Sequence, residues 1–161
     1  MKQRITTNLW FDTEAEEAAN FYVSVFENSR ILEISRYTEA GPRPAGTVMV
    51  VSFELDGQRF VAINGGPEFK FSEAISLQIA CESQAEVDYY WERLCEGGSE
   101  SQCGWLKDRY GLSWQVTPNG MGELFAGPDP ERAMRAMTAM RQMKKLDINA
   151  LRQAADGVAA G

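Results

Sequence analysis

Apolar and polar positions in this chain alternate between two periods, and the changes of period mark its elements. From Ile5 to Phe11 they follow the two-residue period of a strand, rich in aromatics. Ala18, Phe21, Tyr22, Val25 and Phe26 then recur at helical spacing and predict a helix running to about Phe26. Asp12 or Thr13 is its expected cap, with Glu16 as the capping-box partner of Thr13. Asn28-Ser29 ends it, and Arg30–Tyr37 reads as a second strand. Glu39–Gly46, with two prolines and two glycines, is a loop. Thr47–Leu55 and Gln58–Ile63 are strands flanking the hairpin signal Asp56-Gly57. Asn64-Gly65-Gly66-Pro67 breaks the sheet, and Glu68–Glu73 is a charged and aromatic connector.

The same order then restarts. Ala74–Cys81 reads as a strand and Gln84–Cys95 as a helix stopped by Gly97-Gly98. Gln102–Lys107 and Leu112–Thr117 are strands around the turn Asp108-Arg109-Tyr110-Gly111. The restart is visible residue by residue at an offset of 68 positions. Leu9 meets Leu77, Phe11 meets Ile79, Glu14 meets Glu82, Phe21-Tyr22 meets Tyr89-Tyr90, and Phe26 meets Leu94. A repeated strand-and-helix unit implies one fold of two similar halves, with a cavity between or within them. The expected fold is α+β, with two βαβββ-type modules in a single domain, 1–161. The modules span about 5–64 and about 74–117, the second with a shortened latter half.

A C-terminal helical extension, about 131–155, follows a loop over Pro118–Pro130. Glu131–Leu146 predicts one helix, with Met134, Met137, Met140 and Met143 every three residues. Asp147 can cap a further short helix, Ile148–Ala155, and Gly157–Gly161 reads as a frayed tail.

Composition narrows the function. The 161 residues carry a net charge of −7. Such a chain repels nucleic acid and anionic membrane, because phosphate binding needs a basic face. No apolar run approaches the roughly 18 residues of a membrane span, and the N-terminal stretch lacks a signal-peptide core. A cytoplasmic location is expected. Cys81, Cys95 and Cys103 are odd in number and lack CxxC spacing, so they read as small apolar residues. There is no histidine, which removes the commonest metal ligand and general base. No serine or cysteine nucleophile can be paired with a histidine base.

Four stretches carry a family resemblance. They are LWFDTEAEEAANFYVSVFENSRI (Leu9 to Ile31), FELDGQRFVAINGG (Phe53 to Gly66), CGWLKDRYGLSWQVTP (Cys103 to Pro118) and MKKLDINAL (Met143 to Leu151). The chain resembles the vicinal oxygen chelate superfamily, the glyoxalase and bleomycin-resistance fold. The match is to its PhnB-like branch, labelled 3-demethylubiquinone-9 3-methyltransferase-like. The resemblance implies curved mixed sheets forming a cup, and a homodimer. It also implies a divalent metal held by His and Glu from the first and last strands of each half. Carried over, those slots fall at Thr7 or Asn8, Ile75 or Ser76, Val61 or Ala62, and Gln115. None is His, Asp, Glu or Cys, so neither a metal nor another cofactor is expected. The methyltransferase label lacks its usual physical support. Gly65-Gly66 is followed by Pro67 rather than by a helix that could cradle a nucleotide-type donor.

The candidate ligand-binding residues are Asn8, Trp10, Phe60, Asn64, Gln78, Trp105, Arg109, Trp114 and Gln115. The aromatics could line an apolar cavity or simply fill the core. The amides interrupt apolar strands, and could bind a ligand carbonyl or face solvent. Arg109 could clamp an anion or pair with Asp108 in its own turn. Trp91 reads as packing, and Glu14, Glu16 and Glu17 as partners of a helix dipole. The reading is a small-molecule-binding protein with an unknown ligand and no metal. Two alternatives remain open. One is a metal-dependent isomerase, lyase or dioxygenase with atypical ligands. The other is a dimeric interaction protein with a vestigial cup.

Overall fold

The computed structural model describes residues 2–158. The chain forms two compact units, one ending at Phe71 and the other beginning at Ser72.

The first unit holds β1 (Thr7–Phe11), α1 (Ala15–Val25), β2 (Arg30–Arg36), β3 (Val48–Leu55) and β4 (Gln58–Asn64). Its sheet has the order β1-β4-β3-β2. β1 runs parallel to β4, and the other pairs are antiparallel. Strand pleating sends alternate side chains to opposite faces. Leu9, Phe11, Val51, Phe53, Leu55, Phe60, Ala62 and Asn64 are all buried. They share the face against α1, where Tyr22 stacks over Phe53 at 6.4 Å and Phe53 over Phe60 at 5.6 Å. Burying such a side chain stabilises the fold by about 1.5–3 kcal/mol.

The expected capping of α1 is corrected. Neither Asp12 nor Thr13 is the cap; the N-cap is Glu14, with no side-chain cap bond. The Ala15 N–H instead donates to Asn64 Oδ1 at 2.8 Å, from the end of β4.

The second unit holds β5 (Ser76–Cys81), α2 (Gln84–Cys95), β6 (Ser99–Glu100), β7 (Trp105–Lys107) and β8 (Ser113–Pro118). The sheet order β5-β8-β7-β6 repeats the first topology, with β5 parallel to β8. Leu9 pairs with Ala62, and its repeat partner Leu77 pairs with Trp114. Ser83 caps α2 by accepting the Glu86 N–H. Val87, Trp91 and Leu94 form the buried face of α2, which lies on β7 and β8. Trp91 is packing, as read from sequence, with its indole N–H on Glu100 Oε1. β6 has only two residues and has no counterpart in the sequence reading. Among the described residues the architecture is α+β, with two four-stranded mixed sheets and no closed barrel.

The C-terminal region departs further from its sequence pattern. A short helix, α3 (Met121–Ala126), forms inside the expected loop. α4 (Pro130–Met140) is capped by Asp129 and stops before the expected Leu146. The cause is tertiary pairing: Met143 and Lys144 carbonyls accept the Cys103 and Gly104 N–H groups at 2.9 and 2.8 Å. The Gln84 amide grips the same strap, donating to the Leu146 carbonyl and accepting the Ile148 N–H. Lys145 pairs with Asp88 at 2.8 Å and, with Gln84, holds that carboxyl below the usual carboxylate range. Gly104 is required here, since a Cβ would press on the Val116 carbonyl and on Leu146. α5 (Ile148–Ala155) is capped by Asp147 and buries Leu151 and Ala155. Of the expected tail, residues 159–161 lie outside the described residues. No helix among the described residues is long and apolar enough to cross a membrane.

Candidate functional site

Each sheet has a second face, away from its helix. In the first unit, alternation places Asn8, Trp10, Val50, Ser52, Val61 and Ile63 there. Trp10 is pinned by its indole N–H on the Gly66 carbonyl at 2.9 Å and by an edge contact with Phe69 at 4.9 Å. Gly65 makes room for it, because a Cβ there would overlap the indole ring. Asn8 is exposed, and its amide donates to the Thr6 carbonyl.

In the second unit the open face carries Ser76, Gln78, Ala80, Ser113, Gln115, Thr117, Trp105 and Lys107. Three candidate residues stand in one row across three strands. Gln78 pairs in register with Gln115, and Gln115 with Trp105. The next row is Ser76, Ser113 and Lys107. The Gln115 amide donates to Ser76 Oγ at 2.9 Å. Lys107 pairs with Glu73 and holds that carboxyl below its ordinary range. Ser113 is 1% exposed, and its hydroxyl has no partner among the described residues. Leaving such a group unpaired costs about 1–3 kcal/mol. Ser113 was not among the sequence candidates, although its spacing of two from Gln115 places it on the same face.

The remaining candidates do not join these faces. Phe60 and Asn64 have the opposite parity and lie under α1, with the Asn64 amide also donating to the Val48 carbonyl. Trp114 is buried on the α2 side, and its indole N–H donates to Asp108 Oδ2 at 2.9 Å. Asp108 is only 3% exposed and also accepts the N–H groups of Tyr110 and Leu112. It braces its own turn. Arg109 lies beside Glu96, with Nε donating to the Glu96 carbonyl and its guanidinium 3.8 Å from the carboxylate.

The slots that would hold a divalent metal can be tested against their donors. Asn8 pairs with Val61, and Ser76 with Ser113. Ser76 and Gln115 are hydrogen-bonded directly to each other. Among the described residues no three His, Cys, Asp or Glu side chains converge. Neutral amide and hydroxyl oxygens do not match the imidazole, thiolate and carboxylate sets that transition metals take. The residues present do not fit that metal.

Comparison with known proteins places this geometry in a family. A family model described as 3-demethylubiquinone-9 3-methyltransferase matches residues 3–117. A PhnB protein of Bacillus cereus, described by the same activity, is 42% identical, with a TM-score of 0.67. The alignment covers 72% of this chain and 99% of that one. A Pseudomonas aeruginosa protein is 20% identical with a TM-score of 0.62, over 73% of this chain and 98% of the other. The fosfomycin resistance protein FosX of Listeria monocytogenes, solved with Mn(II) and sulfate, shares the fold at 14% identity and a TM-score of 0.50. That likeness covers 76% of this chain and 93% of FosX. Among curated proteins nothing matches. The chain belongs to the PhnB-like 3-demethylubiquinone-9 3-methyltransferase family, and FosX shares its fold. The family match ends at residue 117, so α3, α4 and α5 lie beyond it.

Proposed function

We propose that this protein binds a small organic molecule on the open face of its second sheet, without a divalent metal. The row Gln78, Gln115 and Trp105 carries the reading. A half-buried indole beside two amides offers apolar contact and directed hydrogen bonds, the usual makeup of a small-molecule site. On the first sheet, Trp10 and Asn8 stand two residues apart on the same face of β1. FosX is described with Mn(II), but the slots named above hold amide, hydroxyl or apolar side chains here, so the ligand meets side chains directly.

The protein is also proposed to be a homodimer. Support comes from α4, where Met134 and Met137 are 66% and 41% exposed. Adaptable methionine side chains of this kind suit a protein contact.

Native mass spectrometry of freshly purified protein, read against the denatured mass, tests both points. A dimer with an added organic mass is the expected result. A metal-sized increment, or a rise in melting temperature with Mn2+, Zn2+ or Ni2+, would overturn the metal-free reading. A monomer would overturn the dimer.

A further inference from the structure

Resting on the reading above, we propose that the second sheet's open face selects an uncharged, planar ligand whose edge places a hydrogen-bond donor beside an acceptor, as a carboxamide does. Of the side chains on this face, only Lys107 is ionic, and Glu73 compensates it. A charged ligand would give up hydration here without gaining a counter-ion.

The polar groups left over define the complement. Gln115 uses its N–H on Ser76, so its Oε1 remains an acceptor. The Gln78 amide has no bond to any described residue, and therefore offers both a donor and an acceptor one strand away. The Ser113 hydroxyl, in the adjoining row, is buried and has no partner among the described residues. Trp105 closes the Gln78–Gln115 row with a flat indole, against which a planar ring can stack. The equivalent pair in the first unit is Trp10 and Ile63, with no amide at either position. The amide pair is therefore a property of the second unit alone.

The test uses matched probes: benzamide against benzoate, and nicotinamide against nicotinate. Binding is read by saturation-transfer NMR and by calorimetric titration of the full chain. The amides are expected to bind and the carboxylates to bind at least tenfold more weakly. Gln78→Ala and Gln115→Leu should each weaken the amides by about tenfold, one lost hydrogen bond each. Gln78 is exposed, so its variant keeps the fold. Ser113→Ala should raise the melting temperature of the free protein, by removing an unpaired hydroxyl, while weakening the amides.

Carboxylates binding as tightly as amides, with the same variants sensitive, would overturn the ligand class and leave the site standing. Binding that ignores Gln78, Gln115 and Trp105 substitutions, or no binding by any of the four probes, would overturn both the class and the site.

Discussion

Asn64 caps a helix that begins 49 residues before it. Its Oδ1 accepts the Ala15 N–H at 2.8 Å, and its amide nitrogen donates to the Val48 carbonyl at 3.1 Å. The Tyr37 hydroxyl donates to the Asn64 carbonyl at 2.6 Å, so one residue ties α1, β3 and the segment after β2 to the end of β4. Asn64→Ala should destabilise the protein by about 2–3 kcal/mol, from one lost cap and one unpaired carbonyl. Urea denaturation would show this as a lower midpoint with an unchanged slope. A loss below about 0.5 kcal/mol would mean that water replaces the amide at little cost.

Asp108 supports a second prediction. Its carboxylate accepts the N–H groups of Tyr110, Leu112 and Trp114. Asp108→Asn turns part of that acceptor into a donor facing other donors. The expected cost is about 2–4 kcal/mol, because hydrogen bonds to a buried charge are the stronger ones. The emission of Trp114 should shift red in the folded variant as its indole loses its partner. An unaltered spectrum and melting temperature would refute the bracing role.

Two glycine variants should differ in kind. At Gly98 a Cβ would strike the Lys107 carbonyl and the Asp108 backbone, which cannot swing away. At Gly65 it would strike the Trp10 ring, which can move at the expense of its bond to Gly66. Gly98→Ala should lower the melting temperature markedly. Gly65→Ala should mainly alter Trp10 fluorescence and any binding on the first sheet. The reverse ranking, by calorimetry and fluorescence together, would contradict the packing described.

The thiols give a pH prediction. Burial, then the charge of Glu86, pushes the Cys81 thiol up from 9.0 to about 11. Burial, then Glu100, does the same for Cys95. The folded state therefore keeps these protons where the unfolded state releases them. Their contribution to stability is full below pH 9.0 and is lost as pH rises through about 11. Native protein at pH 8 should react slowly with iodoacetamide at both thiols, and denaturation midpoints should fall between pH 9 and 11. In a Cys81→Ala, Cys95→Ala variant that pH-dependent fall should be smaller. An equal fall would place its origin elsewhere.

These cases show which features the sequence made legible. Periodicity located both modules, because each strand and helix buries one regular stripe. It also singled out Gln78, Gln115 and Trp105, which the register brings into one row. It could not separate them from Asn64 and Trp114. A polar or aromatic residue in an apolar strand looks the same from either side of the sheet, and only strand parity against the helix decides. Phe60 and Asn64 fall on the α1 side and Trp114 on the α2 side. The Asn64 cap was illegible for a different reason, since its partner lies far away in sequence. The early end of α4 was hidden by the helical spacing of Met140 and Met143. Backbone bonds from Cys103 and Gly104 override that spacing.

The two parallel ladders also have an evolutionary consequence. Both units use the same backbone pairing, yet the equivalent open positions hold Trp10 and Ile63 in one and Gln78 and Gln115 in the other. The side chains beneath, Leu9 with Ala62 and Leu77 with Trp114, face away from those changes. Mutation can therefore redraw one surface while the scaffold goes on folding. A duplicated module of this kind supplies two independently variable surfaces, and divergence in one need not be matched in the other.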